Sequence, residues 1–290
     1  MPMRPAAWCR GVWGCALAVA VATGCGGSAT SAPDGGDDAA AQDGAVAEDA
    51  AGRAVIEIYV EGDPTAKTFT DGYSGQTPRD YVMGLQRFDL LRSSNDPTPV
   101  TVFDYGPGYT EVDMSTKTLV GVGRTPDIPA GSYSHARVLL AMARFTVNAS
   151  AHSGSLGLPG AITATSALSD TIIDGTPFTK GQCQFEFVSG SITNTLGGAL
   201  PPLPATAGGT IVDDGQRTWM VFPFAAPLAV DPGDAATHQA TITYETFESF
   251  RWEEQALTGY TTGVWDVNAD FVSSEVVKNF GATGYRVETL

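Results

Sequence analysis

Asp266-Val267-Asn268-Ala269-Asp270 sets three side-chain oxygens at the first, third and fifth positions of a short run, the spacing with which an EF-hand-type loop begins to wrap calcium. The run then departs from that loop. Its sixth position is Phe271 where the sharp turn needs Gly, and its twelfth is Val277 where a bidentate Glu belongs. Calcium held by Asp266, Asn268 and Asp270 is one reading, and a hydrogen-bonding Asx turn is the other. Upstream lies a run of rings: Tyr244, Phe247, Phe250, Trp252, Tyr260 and Trp265. On a β-sheet surface such rings form platforms that stack on sugar faces, with a carboxylate such as Glu248 or Glu253 accepting from the hydroxyls. Tyr244, Phe250, Trp252, Tyr260 and Trp265 are therefore the candidate ligand-binding residues. Their early spacing crosses both faces of a strand, so some rings face out unless both faces are covered; the competing reading fills the sheet interior with them.

Nucleophilic chemistry finds little support. Cys183 sits in Gln182-Cys183-Gln184-Phe185-Glu186-Phe187, where alternation puts it on one face with Phe185 and Phe187. A buried thiol packing as a small hydrophobe is expected, since no His or Asn lies close in sequence to activate it. His135, His152 and His238 are far apart, and none has a zinc spacing such as His-x-x-x-His. Neither a Gly-x-Ser-x-Gly elbow, a Walker loop nor a dinucleotide fingerprint is present. The expectation is a protein that is not an enzyme. A hydrolase site assembled from distant strands is the third-ranked alternative.

The elements that would carry these residues read as β throughout. Ile56, Ile58 and Val60 alternate with Glu57 and Tyr59, the signature of a half-buried strand over 54–60. Further strands are predicted over 81–91, 100–105, 133–149, 160–165, 181–188, 210–212, 217–224, 237–250 and 285–289, with one helical turn over 273–280. Turns punctuate them at Asn95-Asp96-Pro97, Ile128-Pro129-Ala130-Gly131, Asp213-Asp214-Gly215 and Asp231-Pro232-Gly233-Asp234. Asp214-Gly215 is predicted to make a tight two-residue hairpin turn, because both residues accept positive φ. Leu200-Pro201-Pro202-Leu203-Pro204 reads as a stiff loop. Many short strands separated by such turns specify an all-β fold, an antiparallel β-sandwich.

Charge and composition divide the chain and limit its partners. Residues 26–52 hold Gly, Ala, Ser, Asp and Pro, with six acids, no base, no aromatic ring and Val46 as the one large apolar side chain. Such a segment buries too little surface to offset the entropy of ordering, so a disordered acidic linker is expected. Its reach is on the order of 30 Å. Asp34-Gly35-Gly36-Asp37-Asp38 fits no calcium-loop repeat and reads as solvated linker. Residues 53–290 carry 26 acids against 14 bases, with no run of Lys and Arg. No nucleic-acid partner is expected for that surface.

The residues before the linker carry a resemblance. Arg4 and Arg10 precede an apolar run over 11–22, too short at twelve residues to cross a bilayer, and the run closes in Val21-Ala22-Thr23-Gly24-Cys25. This resembles the lipobox of bacterial lipoproteins, with Ala22 where Leu is commoner. The resemblance implies a signal peptide over 1–24, cleavage after Gly24, a diacylglycerol thioether on Cys25 and acylation of its new amino group. Three acyl chains exceed what stable anchoring requires. The other reading is an ordinary signal peptide with Cys25 left plain. Gly26 is not the Asp that retains enteric lipoproteins in the inner membrane, so the resemblance implies the outer membrane of a Gram-negative envelope. Cys9 and Cys15 leave with the leader and Cys25 is consumed by lipid, leaving Cys183 unpaired.

A second resemblance lies in the domain itself. Phe88-Asp89-Leu90-Leu91, a variable insert, and Ile128-Pro129-Ala130-Gly131-Ser132-Tyr133 running into an apolar strand resemble bacterial lipoprotein domains of unknown function built on a transthyretin-like, or prealbumin-like, β-sandwich. Physically, Pro129 fixes φ, Gly131 supplies a corner, and Tyr133 starts a strand with its hydroxyl free to cap the turn. The family implies a fold and an envelope location and brings no catalytic residues. The expectation is thus a non-catalytic envelope lipoprotein in three parts: a leader over 1–24, a lipid-bearing linker over 25–52 and a sandwich over 53–290. Its partners would be the membrane through the anchor and an envelope protein or polysaccharide, with a carbohydrate-binding module as the main alternative.

Overall fold

The computed structural model describes residues 54–201, 208–233, 235–268 and 274–290. The leader, Cys25, the acidic linker and Asp270 lie outside the described residues. What is described is all β: β1 (Val55–Asp63), β2 (Ser74–Gln76), β3 (Arg79–Leu91), β4 (Val100–Asp104), β5 (Thr110–Asp113), β6 (Thr118–Arg124), β7 (Gly131–Ser153), β8 (Leu156–Ala167), β9 (Thr171–Ile173), β10 (Thr176–Phe178), β11 (Gln182–Ser189), β12 (Ile192–Ala199), β13 (Thr210–Asp213), β14 (Thr218–Val230), β15 (His238–Glu245), β16 (Phe250–Glu253), β17 (Trp265–Asn268), β18 (Val276–Phe280) and β19 (Tyr285–Thr289). A single 3-10 turn at Thr125–Asp127 interrupts them.

The architecture is organised by β7, whose 23 residues outrun the predicted 133–149 at both ends. Along its first half it pairs with β3 and β14, and along its second with β8, while β17 joins it over Ala149–His152. The main sheet runs β12-β11-β8-β7-β14-β19-β15-β1-β6, and β2-β16-β18 form a separate three-stranded sheet. Most pairs are antiparallel, but β1 with β15, β14 with β19 and β17 with β7 are parallel. The sheet is therefore mixed where a purely antiparallel one is expected. Parallel neighbours arise from long-range returns of the chain, which local alternation does not encode.

Two layers of apolar side chains close over β7. Ile56, Ile58 and Val60 of β1, all 0% exposed, join Ile242 and Tyr244 of β15 against Phe88, Val138 and Phe222 of β3, β7 and β14. Phe222 meets the rings of Tyr244 and Tyr285 edge-on at 6.2 and 5.4 Å. Beside the second half of β7, Phe145 packs on Phe250 and Phe280 of the small sheet at 6.0 and 4.8 Å. Period-two alternation explains most of the sorting: strands send alternate residues inward, and those positions are mainly apolar, with Asp89, His152, Arg251 and Asp266 among the buried exceptions.

Local departures from prediction have local causes. The hairpin at Asp214-Gly215 exists, but its loop has four residues, because Asp213 pairs with Thr218. Asp214 Oδ1 accepts from the backbone N–H groups of Gln216 and Arg217 at 2.9 and 2.6 Å, an Asx-type cap that favours the longer loop. The 237–250 strand breaks after Glu245, where Glu248 takes φ 42° and the chain turns before β16. Residues 276–280, read as helical, form β18 through pairing with β16, as β-branched Val276-Val277 favours. The Pro-Ala-Gly-x-Tyr corner behaves as read: the buried Tyr133 hydroxyl donates to the Pro129 carbonyl at 2.7 Å.

Candidate functional site

Parallel pairing of β17 with β7 puts Asp266 beside Ser150 and Asn268 beside His152, and it brings together residues far apart in sequence. His152 Nε2 and Asp266 Oδ1 lie 2.5 Å apart, both side chains 0% exposed. Asp266 Oδ2 accepts from the Thr261 N–H at 2.7 Å. The Asp266 N–H donates to Glu275 Oε2 at 2.9 Å, while Glu275 Oε1 accepts from the Gln255 N–H at 2.8 Å. The indole N–H of Trp265 donates to the Glu275 carbonyl at 3.1 Å. These bonds tie the 254–264 loop to β17 and to the segment leading into β18. Burial pushes the Glu275 carboxyl above the ordinary range, aided by the Asp266 charge and opposed by its two backbone donors.

Over this centre lies a cleft of about 200 Å³ lined by Glu254, Gln255, Leu257, Tyr260, Thr261 and Glu275. Tyr260 forms the partition, its ring centroid 4.6 Å from that of His152. Glu254 Oε1 accepts from the Ser74 hydroxyl and the Gly263 N–H, each at 2.6 Å. The cleft thus offers one ring, hydroxyls and carboxylates to a ligand, and the His152–Asp266 pair lies beneath its floor. Nδ1 of His152 is buried without a hydrogen-bond partner among the described residues. Gly157, opposite His152 on β8, leaves the ring its room, since a Cβ there would come within 2.8 Å of Cε1. The geometry is that of a closed structural tie: Asp266 gives both oxygens to neighbours and faces no solvent.

The aromatic platform is corrected by burial. Tyr244, Phe250, Trp252 and Trp265 are between 0% and 3% exposed and cannot stack on a sugar. Phe250 and Trp252 lie on β16 and Trp265 on β17, and these rings join the core cluster, Phe250 meeting Phe145, Trp265 and Phe280 at 6.0, 4.9 and 6.2 Å. Of the five candidate ligand-binding residues Tyr260 alone is half-buried, and Phe247, also half-buried, stacks on Phe69 at 6.4 Å. Of the calcium reading, Asp266 is spent on His152 and Thr261, Asn268 lies on β17, and Asp270 falls outside the described residues. Among the described residues no group of three or more His, Cys, Asp or Glu side chains has a metal-binding arrangement.

Cys183 is 2% exposed with its sulfur 3.2 Å from the Ser166 hydroxyl, and burial pushes its thiol up to about 11. That is an inert core thiol. A feature with no local sequence signal is the cationic pair Arg87 and Arg137, on adjacent strands. Both donate through Nε to the fully buried Asp89 at 2.7 Å, and their guanidiniums lie 5.9 and 4.3 Å from the Trp219 ring. Their charge is consumed by Asp89 and by the indole face, so no open basic surface results. Likewise, nothing near His152 or Glu275 in sequence foretells their meeting with Asp266. His152 and Asp266 are 114 residues apart, and only the strand pairing joins them.

No protein-family model matches the chain, and neither a curated protein nor a solved structure matches it.

Proposed function

We propose that this chain is a non-catalytic envelope lipoprotein, anchored through Cys25 and holding its β domain away from the membrane on the 26–52 linker for contact with an envelope protein or polysaccharide. The observation that carries the reading is the run Val21-Ala22-Thr23-Gly24-Cys25 between an apolar leader and an acidic, ring-free linker. The resemblance of 128–133 to prealbumin-like lipoprotein domains supports the same location. The internal use of the buried His152–Asp266–Glu275 centre supports a presenting rather than a reacting domain, since its groups bond to one another and to the backbone. The outer membrane is the proposed address. Metabolic labelling with a palmitate analogue should mark the wild type, and Cys25→Ser should abolish the label and move the protein to the soluble fraction. Membrane association unchanged in that variant would sink the anchor.

One observation favours a carbohydrate-binding role as a second reading: Tyr260 keeps a partly open ring beside a polar cleft that also holds Glu254, Thr261 and Thr262. Stacking of one sugar face on that ring would contribute on the order of 1 kcal/mol. Immobilised glycans should then retain the wild type about fivefold better than Tyr260→Ala. Equal retention of both would remove this reading and leave the anchor untouched.

A further inference from the structure

β12 is an edge strand of eight residues, Ile-Thr-Asn-Thr-Leu-Gly-Gly-Ala, hydrogen-bonded to β11 on one side and to no strand on the other among the described residues. All but one of its residues are exposed, and Ile192 is 52% exposed. Nothing lies within 4 Å of where a Cβ on Gly197 would sit. Free N–H and C=O groups along such a strand invite another strand, and folded proteins ordinarily block that with charge, Pro or cover.

The rest of this molecule follows that practice. Every other strand of four residues or more that is paired on one side alone carries a charge: Asp104 on β4, Glu111 and Asp113 on β5, Arg124 on β6, Asp213 on β13, Asp266 on β17 and Lys278 on β18. Among strands of this length β12 alone has neither charge nor Pro, and the uncharged β2 and β9, three residues each, are blunted by their shortness. In a chain of net charge −16 this neutrality is specific to one long edge. It also says which partner fits. A strand adapted to a charged ligand would carry the opposite sign, whereas one meeting its own copy must avoid like charges at the two-fold axis.

We propose that two copies of this chain join through β12, antiparallel, into one continuous sheet. An axis perpendicular to the sheet keeps each residue on its own face, so paired residues must share a face. This confines the axis to Thr195 or Leu196 if most of the strand is to pair. Centred on Thr195, the register sets Thr195 against its twin, Thr193 against Gly197 and Ile192 against Gly198. Centred on Leu196, it sets Thr195 against Gly197. In either register the small residues give close approach, and Ile192, Leu196 and the 37%-exposed Val188 of β11 gain cover.

The test is sedimentation velocity of the full chain in non-ionic detergent, with Thr195→Lys, Thr195→Glu and their equimolar mixture alongside the wild type. Thr195 faces outward opposite Glu186, so Lys is tolerated by the monomer, and unchanged thermal melting checks both folds. The wild type should dimerise, each variant alone should be monomeric, and the mixture should recover dimer as Lys meets Glu across the axis. A wild type still monomeric at about 100 µM, where even weak contacts populate, overturns the proposal. Dimers that survive both substitutions overturn it too, as does a mixture that stays monomeric.

Discussion

At one end of the main sheet, β6 gives the carbonyl of Val120 to the Tyr105 hydroxyl 2.5 Å away, and its Gly121 and Gly123 lie against Phe103 and Val102 of β4. At the other end, β12 has an unpaired outer flank among the described residues: nothing lies within 4 Å of a Cβ on Gly197, and a Cβ on Gly198 would meet only the Phe185 ring of β11 at 3.6 Å. Both strands contain two glycines, and the glycines do opposite things. In β6 they make room: a Cβ on Gly121 would overlap the Phe103 ring, and one on Gly123 would stand 2.6 Å from Val102 Cγ1. In β12 Gly197 makes room for nothing within the monomer. The sheet curls far enough for β4 to close over β6, so that edge belongs to the core. The β12 edge is left as surface, and its neutrality is a property of that surface.

The largest effect should follow from filling the β6 contact. Gly121→Val forces the Phe103 ring aside and should cost about 3 kcal/mol, the upper end for overpacking, read as a melting temperature lower by about 5–10 °C. An unchanged melt would mean that β4 does not close that edge. Next, Cys183 probes the open end, because it sits opposite Gly198 of β12. Raising its thiol from 9.0 to about 11 leaves about 100-fold less thiolate at neutral pH. A thiol reagent should therefore label native protein at least about 100-fold more slowly than protein in denaturant. Labelling close to the unfolded rate would mean that the β11–β12 hairpin detaches readily. Tyr105→Phe removes the hydroxyl that satisfies Val120 and should cost about 1 kcal/mol in urea titration, a loss without a counterpart at the β12 end, where no side-chain hydrogen bond to the strand backbone is found among the described residues. The smallest effect belongs to Gly197→Val, which should change monomer stability by no more than about 0.5 kcal/mol. A loss as large as that of Gly121→Val would erase the distinction between the two edges.

Much of the framework was legible residue by residue. Ile56, Ile58 and Val60 announce β1, the Cys183-Gln184-Phe185-Glu186-Phe187 alternation announces β11 and a buried thiol, and Pro129-Ala130-Gly131-Ser132-Tyr133 announces the corner into β7 with its capping hydroxyl. β12 was not legible, since Thr-Asn-Thr-Leu-Gly-Gly has no alternation of apolar and polar residues and draws its regularity from pairing with β11. The candidate site was legible in part for the wrong reason. Asp266 attracted notice as an oxygen in a calcium-like spacing, and its actual partner, His152, contributes from β7. The aromatic run left two readings, a surface platform or the sheet interior, because period-two spacing states which faces rings occupy without stating what covers each face, and burial of Tyr244, Phe250, Trp252 and Trp265 selects the interior for those four.

The division follows from the range of the forces involved. Turn chemistry, strand alternation, the acidity of the chain and the run ending at Cys25 depend on residues within a few positions of one another, and the sequence alone determined them. Which strand lies beside which, that β17 runs parallel to β7 so that Asp266 reaches His152, that Trp252 of the small sheet is buried, and that β6 is covered while β12 is not, depend on long-range contacts. They are selected by how all the apolar faces can be buried at once, a condition on the whole chain that no local window contains.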